Sequence, residues 1–169
     1  WEVDTPAKIQ IRAVADNKEI VSDYTNFLLQ AVTEAEQEKY QIVETFTAYY
    51  AFFYGKRPPI YTYSGMLISD KKNNWAGTFK FMYENFFRGT AAAELGAQAY
   101  ITYGKKVVSG FILNLNMQQE AATPYGIPFS FSMLVISYDM TDFGDDFKKF
   151  MDNQLARLAE LKAAANQKI

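Results

Sequence analysis

The sequence has no cysteine and no histidine among its 169 residues. Without cysteine it has no disulfide, thiolate nucleophile or zinc–thiolate site. Without histidine it lacks the commonest general base, the Ser-His-Asp arrangement and most transition-metal sites. Catalysis would therefore depend on carboxylates, lysine or tyrosine, or on Mg²⁺ or Ca²⁺ held by oxygen atoms. We expect a protein that is not an enzyme and that has no catalytic residue, cofactor or metal ion.

The chain also lacks a large excess of charge of either sign and any long apolar run. The chain carries 17 basic and 19 acidic residues, a net charge of −2, which gives no global electrostatic case for binding nucleic acid or an anionic membrane. It has no run of about 20 apolar residues, so we expect no membrane-spanning helix. The first ten residues lack the basic and apolar regions of a signal peptide.

Aromatic residues, in contrast, are abundant. They make up 17% of the chain, with 12 Tyr and 14 Phe. Aromatic side chains favour β-strands and large contact surfaces. The composition therefore favours β structure and protein interfaces.

The spacing of apolar residues predicts a sheet built from short strands. Strands are expected at residues 7–15, 24–32, 40–46, 60–68, 98–103, 107–117 and 127–138, with a short helix as the alternative for 24–32. The residue types at 16–19 predict a turn, those at 103–106 a tight hairpin, and the polar segment 33–40 a loop or one helical turn. Gly65 is expected to mark a bulge or a change of register.

Two segments change to a helical period. Trp75, Phe79, Tyr83 and Phe86 predict an amphipathic helix over 75–88, capped by Asn73 or Asn74, with Gly89 as a left-handed terminator and a small-residue connector after it. A second helix is expected from residue 142 onward. Its apolar stripe comprises Phe143, Phe147, Phe150, Met151, Leu155, Leu158 and Leu161. This order of elements predicts an α+β fold with a mostly antiparallel sheet or barrel.

Two groups of carboxylates are candidates for acid–base catalysis or for binding a metal ion. They are Glu34, Glu36 and Glu38 in the polar segment, and Asp142, Asp145 and Asp146 near the start of the last helix. An acid–base pair needs two carboxyl groups in unlike environments, and nothing in the sequence places either group in a cleft. The spacing of Asp139, Asp142 and Asp145 loosely matches a calcium loop but lacks the glycine and glutamate of an EF-hand. Helix capping is the favoured interpretation of these aspartates.

The most unusual stretch is YYAFFYGKRPPIY, residues 49–61. A strand buried on both faces, a membrane-inserting finger, or a loop or hairpin covered by a partner would each explain it. The basic pair Lys56-Arg57 beside aromatics is also compatible with binding of single-stranded nucleic acid. We favour the partner-covered hairpin, with Gly55 and the two prolines shaping its return and preventing a regular strand. The residues expected at a subunit interface are Tyr49, Tyr50, Phe52, Phe53, Tyr54, Lys56, Arg57, Pro58, Pro59 and Tyr61.

Several segments together resemble virion structural proteins of tailed bacteriophages. They are EKYQIVETF, YGKRPPIYTYSGMLI, NNWAGTFKFMYENFFRGT and VVSGFILNLN followed by PFSFSMLVISY. The resemblance spans roughly Thr25 to Tyr138 and is to the tail-tube-like class, which includes tail tubes, tube initiators and baseplate hubs. Its most specific motifs are Phe-Tyr-Gly-Lys-Arg-Pro, Tyr-Ser-Gly-Met-Leu and Asn-Phe-Phe-Arg-Gly-Thr. Thr47 stands where a glycine follows the ETF segment in the class.

This resemblance implies a small antiparallel β-barrel or rolled sandwich with one flanking helix. We expect this domain to cover residues 1–140 and a C-terminal helical extension to cover 141–169; its helix from Phe143 onward lies outside the resemblance. It implies a homo-oligomer, a ring of six in most of the class, in a virion tail assembled in the host cytoplasm. Other phage tail or baseplate proteins are the expected partners, and DNA passes through the lumen as cargo. The aromatic segment would then be an arm that grips the adjacent subunit or the next ring.

Two other classes of function stay open at this stage. One is a carbohydrate- or ligand-binding β-barrel that uses exposed tyrosines as stacking platforms. The other is a hydrolase that works with carboxylates, which the lack of histidine does not forbid.

Overall fold

A computed structural model of the chain describes residues 6–15, 18–140 and 145–167. The chain divides into two compact units, Trp1–Asp139 and Met140–Ile169.

The described residues form nine strands, most of them in one antiparallel sheet. The strands are β1 Lys8–Ala15, β2 Lys18–Tyr24, β3 Leu28–Ala35, β4 Glu38–Glu44, β5 Tyr49–Lys56, β6 Ile60–Ile68, β7 Ala97–Tyr103, β8 Lys106–Met117 and β9 Gly126–Met140. Seven of them form a sheet in the order β2-β1-β7-β8-β9-β6-β3, and β4 and β5 form a separate two-stranded sheet. The expected α+β fold with a mostly antiparallel sheet is confirmed.

The large sheet is strongly curled. β3 lies three places from β8 in the strand order, which would separate them by about 14 Å in a flat sheet. Yet the carboxylate of Glu34, on β3, accepts a hydrogen bond from the Tyr103 hydroxyl at 3.1 Å and pairs with the ammonium group of Lys106. A flat sheet cannot bring these groups together, so the sheet rolls until β3 faces the turn between β7 and β8.

Aromatic rings fill the inside of the roll. The Phe79 ring lies 5.2 Å from Phe129 and 5.7 Å from Tyr24, centroid to centroid. Tyr63 stacks on Phe131 at 5.1 Å and meets Tyr103 edge-on. Offset and edge-to-face contacts of this kind add to the free energy of burial. The alternating residues of β6 and β9 thus form the core, as their period-2 pattern predicts.

One flank of the roll is covered by a short helical segment. It consists of helix α1, Trp75–Met82, a π-helical turn, Tyr83–Phe87, and helix α2, Gly89–Glu94. The side chain of Asn74 caps α1 by accepting from the Gly77 backbone N–H at 3.1 Å, as predicted. The predicted inward packing is confirmed for Phe79, which is 1% exposed.

The first helical stretch ends at Phe87, close to the expected residue 88, but the expected role of Gly89 was wrong. Arg88 leaves the helical conformation, with φ −55° and ψ 135°, and Gly89 begins α2 instead of ending α1 in a left-handed conformation. The segment expected as a small-residue connector is therefore helical. The π-helical turn, closed by the Arg88 N–H and the Tyr83 carbonyl at 2.9 Å, inserts about one extra residue. This shift buries Phe87 fully and leaves Phe86 partly exposed.

Three strand boundaries also differ from expectation. The segment 24–32 contains the end of β2 and the start of β3 in place of one strand. The segment 33–40 is extended, with only Glu36 and Gln37 between β3 and β4. At the expected turn 16–19, Lys18 and Glu19 belong to β2, while residues 16–17 lie outside the described residues. In the segment 33–40 most of the polar residues belong to exposed strand faces, which a loop prediction misinterprets.

Gly65 marks a real irregularity, but the extra residue lies on the partner strand. The register between β3 and β6 shifts between Leu29 and Ala31, opposite Gly65. A Cβ on Gly65 would come within 1.9 Å of the Leu28 carbonyl oxygen. The glycine therefore permits a close backbone approach at the bulge.

The second unit contains helix α3, Asp145–Asn166, with Asp145 and Asp146 in its first turn. Residue 142, the expected start, lies outside the described residues, as does Phe143. The other apolar residues of the predicted stripe are all exposed: Phe147, Phe150, Met151, Leu155, Leu158 and Leu161.

Candidate assembly hairpin

The aromatic segment forms one arm of a β-hairpin that continues the β3–β6 strand pair. The β3–β6 ladder ends at the pair Ala35–Ile60. After a short interruption, the β4–β5 ladder begins at the pair Glu38–Lys56. The chain thus leaves the large sheet along β3 and β4 and returns along β5 and β6. The hairpin β4–β5 is an extension of that sheet's edge.

The tip of the hairpin is closed by local hydrogen bonds. The Thr45 N–H donates to the Ala48 carbonyl at 2.7 Å, and the Ala48 N–H donates to the Thr45 hydroxyl oxygen at 3.1 Å. These bonds fix the turn around Phe46 and Thr47 without a glycine. Phe46, fully exposed, stands at the end of the hairpin.

Both faces of the hairpin are aromatic. Directly paired residues share a face and successive residues alternate, so the pairs Tyr40–Phe53 and Val43–Tyr50 lie on opposite faces. The first face presents Tyr40, Ile42, Tyr49 and Phe53, and the second presents Val43, Tyr50, Phe52 and Tyr54. All eight side chains are exposed, with relative exposures from 40% to 77%. The run YYAFFY places aromatic side chains on both faces, because successive residues of a strand point to opposite faces.

The base of the hairpin is a break in the hydrogen-bond ladder. Pro58 and Pro59 have no backbone N–H and cannot donate across the ribbon. The Arg57 N–H donates to the Gln37 carbonyl at 2.8 Å, and the Pro59 carbonyl accepts from Val135 on β9 at 2.9 Å. Gly55 has φ +98°, a conformation that favours glycine, one residue before β5 ends. The hairpin and the large sheet are therefore joined by a short, irregular link.

Glu36 bridges this link. Its carboxylate pairs with the Lys56 ammonium group at 2.9 Å and accepts from the Tyr61 hydroxyl at 3.4 Å. The hydrogen bond from Lys56 is the main cause that lowers the pKa of Glu36, and the same bond raises the pKa of Lys56. One carboxylate thus contacts the last residue of β5 and an anchor on β6.

Tyr61 is a firm anchor because its ring is buried. It is 1% exposed, and burial is the main cause that raises its pKa to about 12. The Lys106 ammonium group lies 5.7 Å from the centroid of the Tyr61 ring and 5.4 Å from that of Tyr138. Lys106 also pairs with Glu34. Tyr61 therefore remains neutral at physiological pH and is fixed to the body of the sheet.

The structure places most of the predicted interface residues on one exposed element. Tyr49, Tyr50, Phe52, Phe53, Tyr54, Lys56, Arg57 and Pro58 are exposed, and Pro59 is partly exposed. Tyr61 is the exception: its ring packs in the core, so its place among surface residues was wrong. The run itself is strand β5, paired from Tyr49 to Phe53 and again at Lys56, and it ends before the two prolines, as expected.

Sequence reasoning missed the other half of this surface. Tyr40, Ile42 and Val43 on β4 and Phe46 at the tip are exposed beside the aromatic run. Their signal was present in the alternating segment 40–46, which was predicted as a strand but not as part of the exposed surface. The alternation of charged and apolar residues does not say whether the apolar face meets the chain's own core or a partner.

Other features of the described residues bear on binding. An open cleft of about 540 Å³ at the hairpin base is lined by Gln37, Glu38, Tyr40 and Arg57. Within the described part of the chain, no three acidic residues cluster as a metal site would require. No helix in that part is both long and apolar enough to cross a bilayer.

No protein-family model matches the sequence, and a search of curated proteins gives no match. Among solved structures, the chain is similar to a chain of the phage p2 baseplate in its activated conformation with Sr, at 9% identity and a TM-score of 0.47; the alignment covers 78% of this chain and 44% of that one. It is similar to a chain of the anti-feeding prophage (AFP) baseplate, at 8% identity and a TM-score of 0.41, covering 82% and 94%. It is also similar to a chain from the tail of an empty GTA particle, at 10% identity and a TM-score of 0.40, covering 79% and 96%. This chain thus spans less than half the length of the p2 baseplate chain.

Proposed function

We propose that this protein is a non-enzymatic structural subunit of a phage tail, in a tube, tube-initiator or baseplate ring. Copies associate side by side into a ring, six in number by the resemblance described above, with other tail or baseplate proteins above and below. The ring encloses a channel through which DNA passes. A chain with a net charge of −2 suits a wall that lets DNA slide, because basic surfaces hold phosphates.

The observation that carries the proposal is the hairpin with two exposed aromatic faces. A two-stranded hairpin is marginally stable by itself in water. Monomeric proteins rarely expose apolar patches of this kind, and aromatic residues are enriched at the centres of interfaces. An arm that inserts between neighbouring subunits buries both faces at once, whereas packing on the chain's own core would bury one.

The experiment compares association and folding in the same variants. Phe52→Ala and Phe53→Ala each remove one ring from a different face. Truncating a central aromatic of an interface costs about 2–4 kcal/mol, or roughly 30- to 1000-fold in association. We expect both variants to keep the circular dichroism spectrum and to lose assembly in light scattering and electron microscopy.

Phe81→Ala is the matched control, because Phe81 is also an exposed phenylalanine, at 60%, and it lies on α1 and not on the hairpin. It should assemble like the unmodified chain. A strictly monomeric unmodified protein would contradict the proposal, and a monomer that binds sugars or lipid vesicles through Phe52 or Phe53 would favour a binding module or a membrane finger.

A further inference from the structure

We propose that Glu36 is a positioning residue that sets the angle between the hairpin and the sheet. The inference deepens the proposed function, and rests on it for the consequence in assembly, but the positioning itself concerns the single chain. At Glu36, side-chain contacts with Lys56 and Tyr61 join the hairpin to the body of the sheet.

The ladder break leaves few restraints on the hairpin. Between the last β3–β6 pair and the first β4–β5 pair, the two prolines remove two backbone donors. The bond between the Arg57 N–H and the Gln37 carbonyl crosses the ribbon there, and a single bond permits rotation about its own axis. A second restraint, displaced from the first, is needed to fix an orientation.

Glu36 supplies that restraint because its side chain contacts both the hairpin and the body of the sheet. Its bond to the Lys56 ammonium group at 2.9 Å reaches the hairpin, and its bond to the Tyr61 hydroxyl at 3.4 Å reaches the body. The Tyr61 ring is buried and cannot follow a moving hairpin. A carboxylate has two oxygens and accepts both bonds at once. The bridge therefore ties the hairpin to the body of the sheet.

An exposed ion pair contributes little to global stability, and the Glu36 and Lys56 side chains are 44% and 50% exposed. The bridge is therefore expected to affect orientation more than folding. An arm already held at its bound angle loses less conformational freedom when it meets a neighbour. The consequence of losing the bridge is weaker association by a subunit that remains folded.

Spin labels measure the angle directly, and the absence of native cysteine permits clean labelling. Thr47→Cys at the tip and Glu94→Cys at the end of α2 give one label on the hairpin and one on the body. Double electron–electron resonance on the monomer should give a single narrow distance distribution. Glu36→Ala, and Lys56→Met from the other side of the bridge, should broaden it, and Tyr61→Phe should broaden it less.

Glu84→Ala is the control, since the Lys80–Glu84 pair has the same 2.9 Å separation and similar exposure but lies on the flanking helix. It should leave the distribution narrow. The exchanged pair Glu36→Lys with Lys56→Glu should restore the narrow distribution, which a merely structural role of either residue would not produce. Thermal unfolding of each variant verifies that it is folded.

A distribution that stays narrow in both Glu36→Ala and Lys56→Met would overturn the inference, as would an exchanged pair as broad as the single variants. In the assembly assay, Glu36→Ala should associate about tenfold more weakly, which corresponds to about 1.4 kcal/mol. If the unmodified chain does not assemble, the proposed function fails, while the spin-label result still decides the role of Glu36.

Discussion

At the scale of single residues, Gly65 shows how a sequence signal becomes a physical constraint. The Leu28 carbonyl oxygen lies where a Cβ on residue 65 would go, at 1.9 Å. Because the obstructing atom is backbone, it cannot move without opening the β3–β6 ladder. We expect Gly65→Ala to lower the free energy of unfolding by about 1–3 kcal/mol, the range typical of overpacking. Denaturant titration beside Ser64→Ala, the next residue on the same strand, measures this; equal stability would mean that the close approach is not rigid.

Glu36 allows a prediction about pH at the same scale. Its pKa in the folded chain is lowered, chiefly by the Lys56 hydrogen bond, below the value of about 4.3 for an unperturbed glutamate. The bridge therefore stabilises the folded chain above about pH 4.3 and is lost as pH falls through the lowered folded pKa. We expect the stability difference between the unmodified chain and Glu36→Gln to shrink through that window. A difference that stays constant from pH 6 to pH 3 would contradict this, and Glu84→Gln serves as the comparison.

At the scale of elements, the packing of the flanking helix is the clearest test. Phe79 is buried among the rings of Tyr24, Phe129 and Phe131. Replacing it with alanine leaves a cavity, and Phe79→Ala should cost about 3–5 kcal/mol of folding stability. Chemical denaturation measures the change, with exposed Phe81→Ala on the same helix as the control. A normal melting curve together with lost assembly would make this helix an interface element.

The same helix shows where sequence periodicity stops being sufficient. The spacing of Trp75, Phe79 and Tyr83 predicted its position and inward face. The adjacent phenylalanines at 86 and 87 suit two different helical phases, and the choice between them depends on the shape of the core. The π-helical turn selects Phe87, and no local propensity announces a turn of that kind.

The hairpin shows the converse case. Alternation of apolar and polar residues indicates a strand only when one face of that strand is buried and the other is exposed to solvent. β5 exposes both faces, so its sequence has no period, and regular strand geometry could not be inferred from it. The exposed aromatic surface could nevertheless be located from the sequence, because a run of aromatics without alternation is itself unusual. The paired strand β4 does alternate, and its alternation predicts a strand without showing that its apolar side chains are exposed.

At the scale of the whole molecule, the sequence predicted the antiparallel sheet, the flanking helix and the C-terminal helix. It could not predict the roll of the sheet, which depends on contacts between distant residues. Glu34 and Lys106 are 72 positions apart, and their pairing holds β3 against the β7–β8 turn. The same limit applies to the site: the aromatic surface follows from local sequence, whereas the Glu36 bridge depends on how the two strands return to the sheet.

The division of the chain leads to the last prediction. Every buried core residue that the structure describes lies between Ile9 and Val135, so a chain ending at Met140 retains all of these core side chains. We expect this truncated chain to unfold cooperatively, with a melting temperature close to that of the full chain, because hydrophobic burial dominates folding stability. Scanning calorimetry on both chains measures this, with Phe79→Ala in the truncated chain as a control that the transition reports the same core. A truncated chain without a cooperative transition would mean that the helix from Asp145 onward is part of the fold. If the truncated chain folds normally but associates differently, the exposed apolar stripe of α3 is a contact surface in its own right.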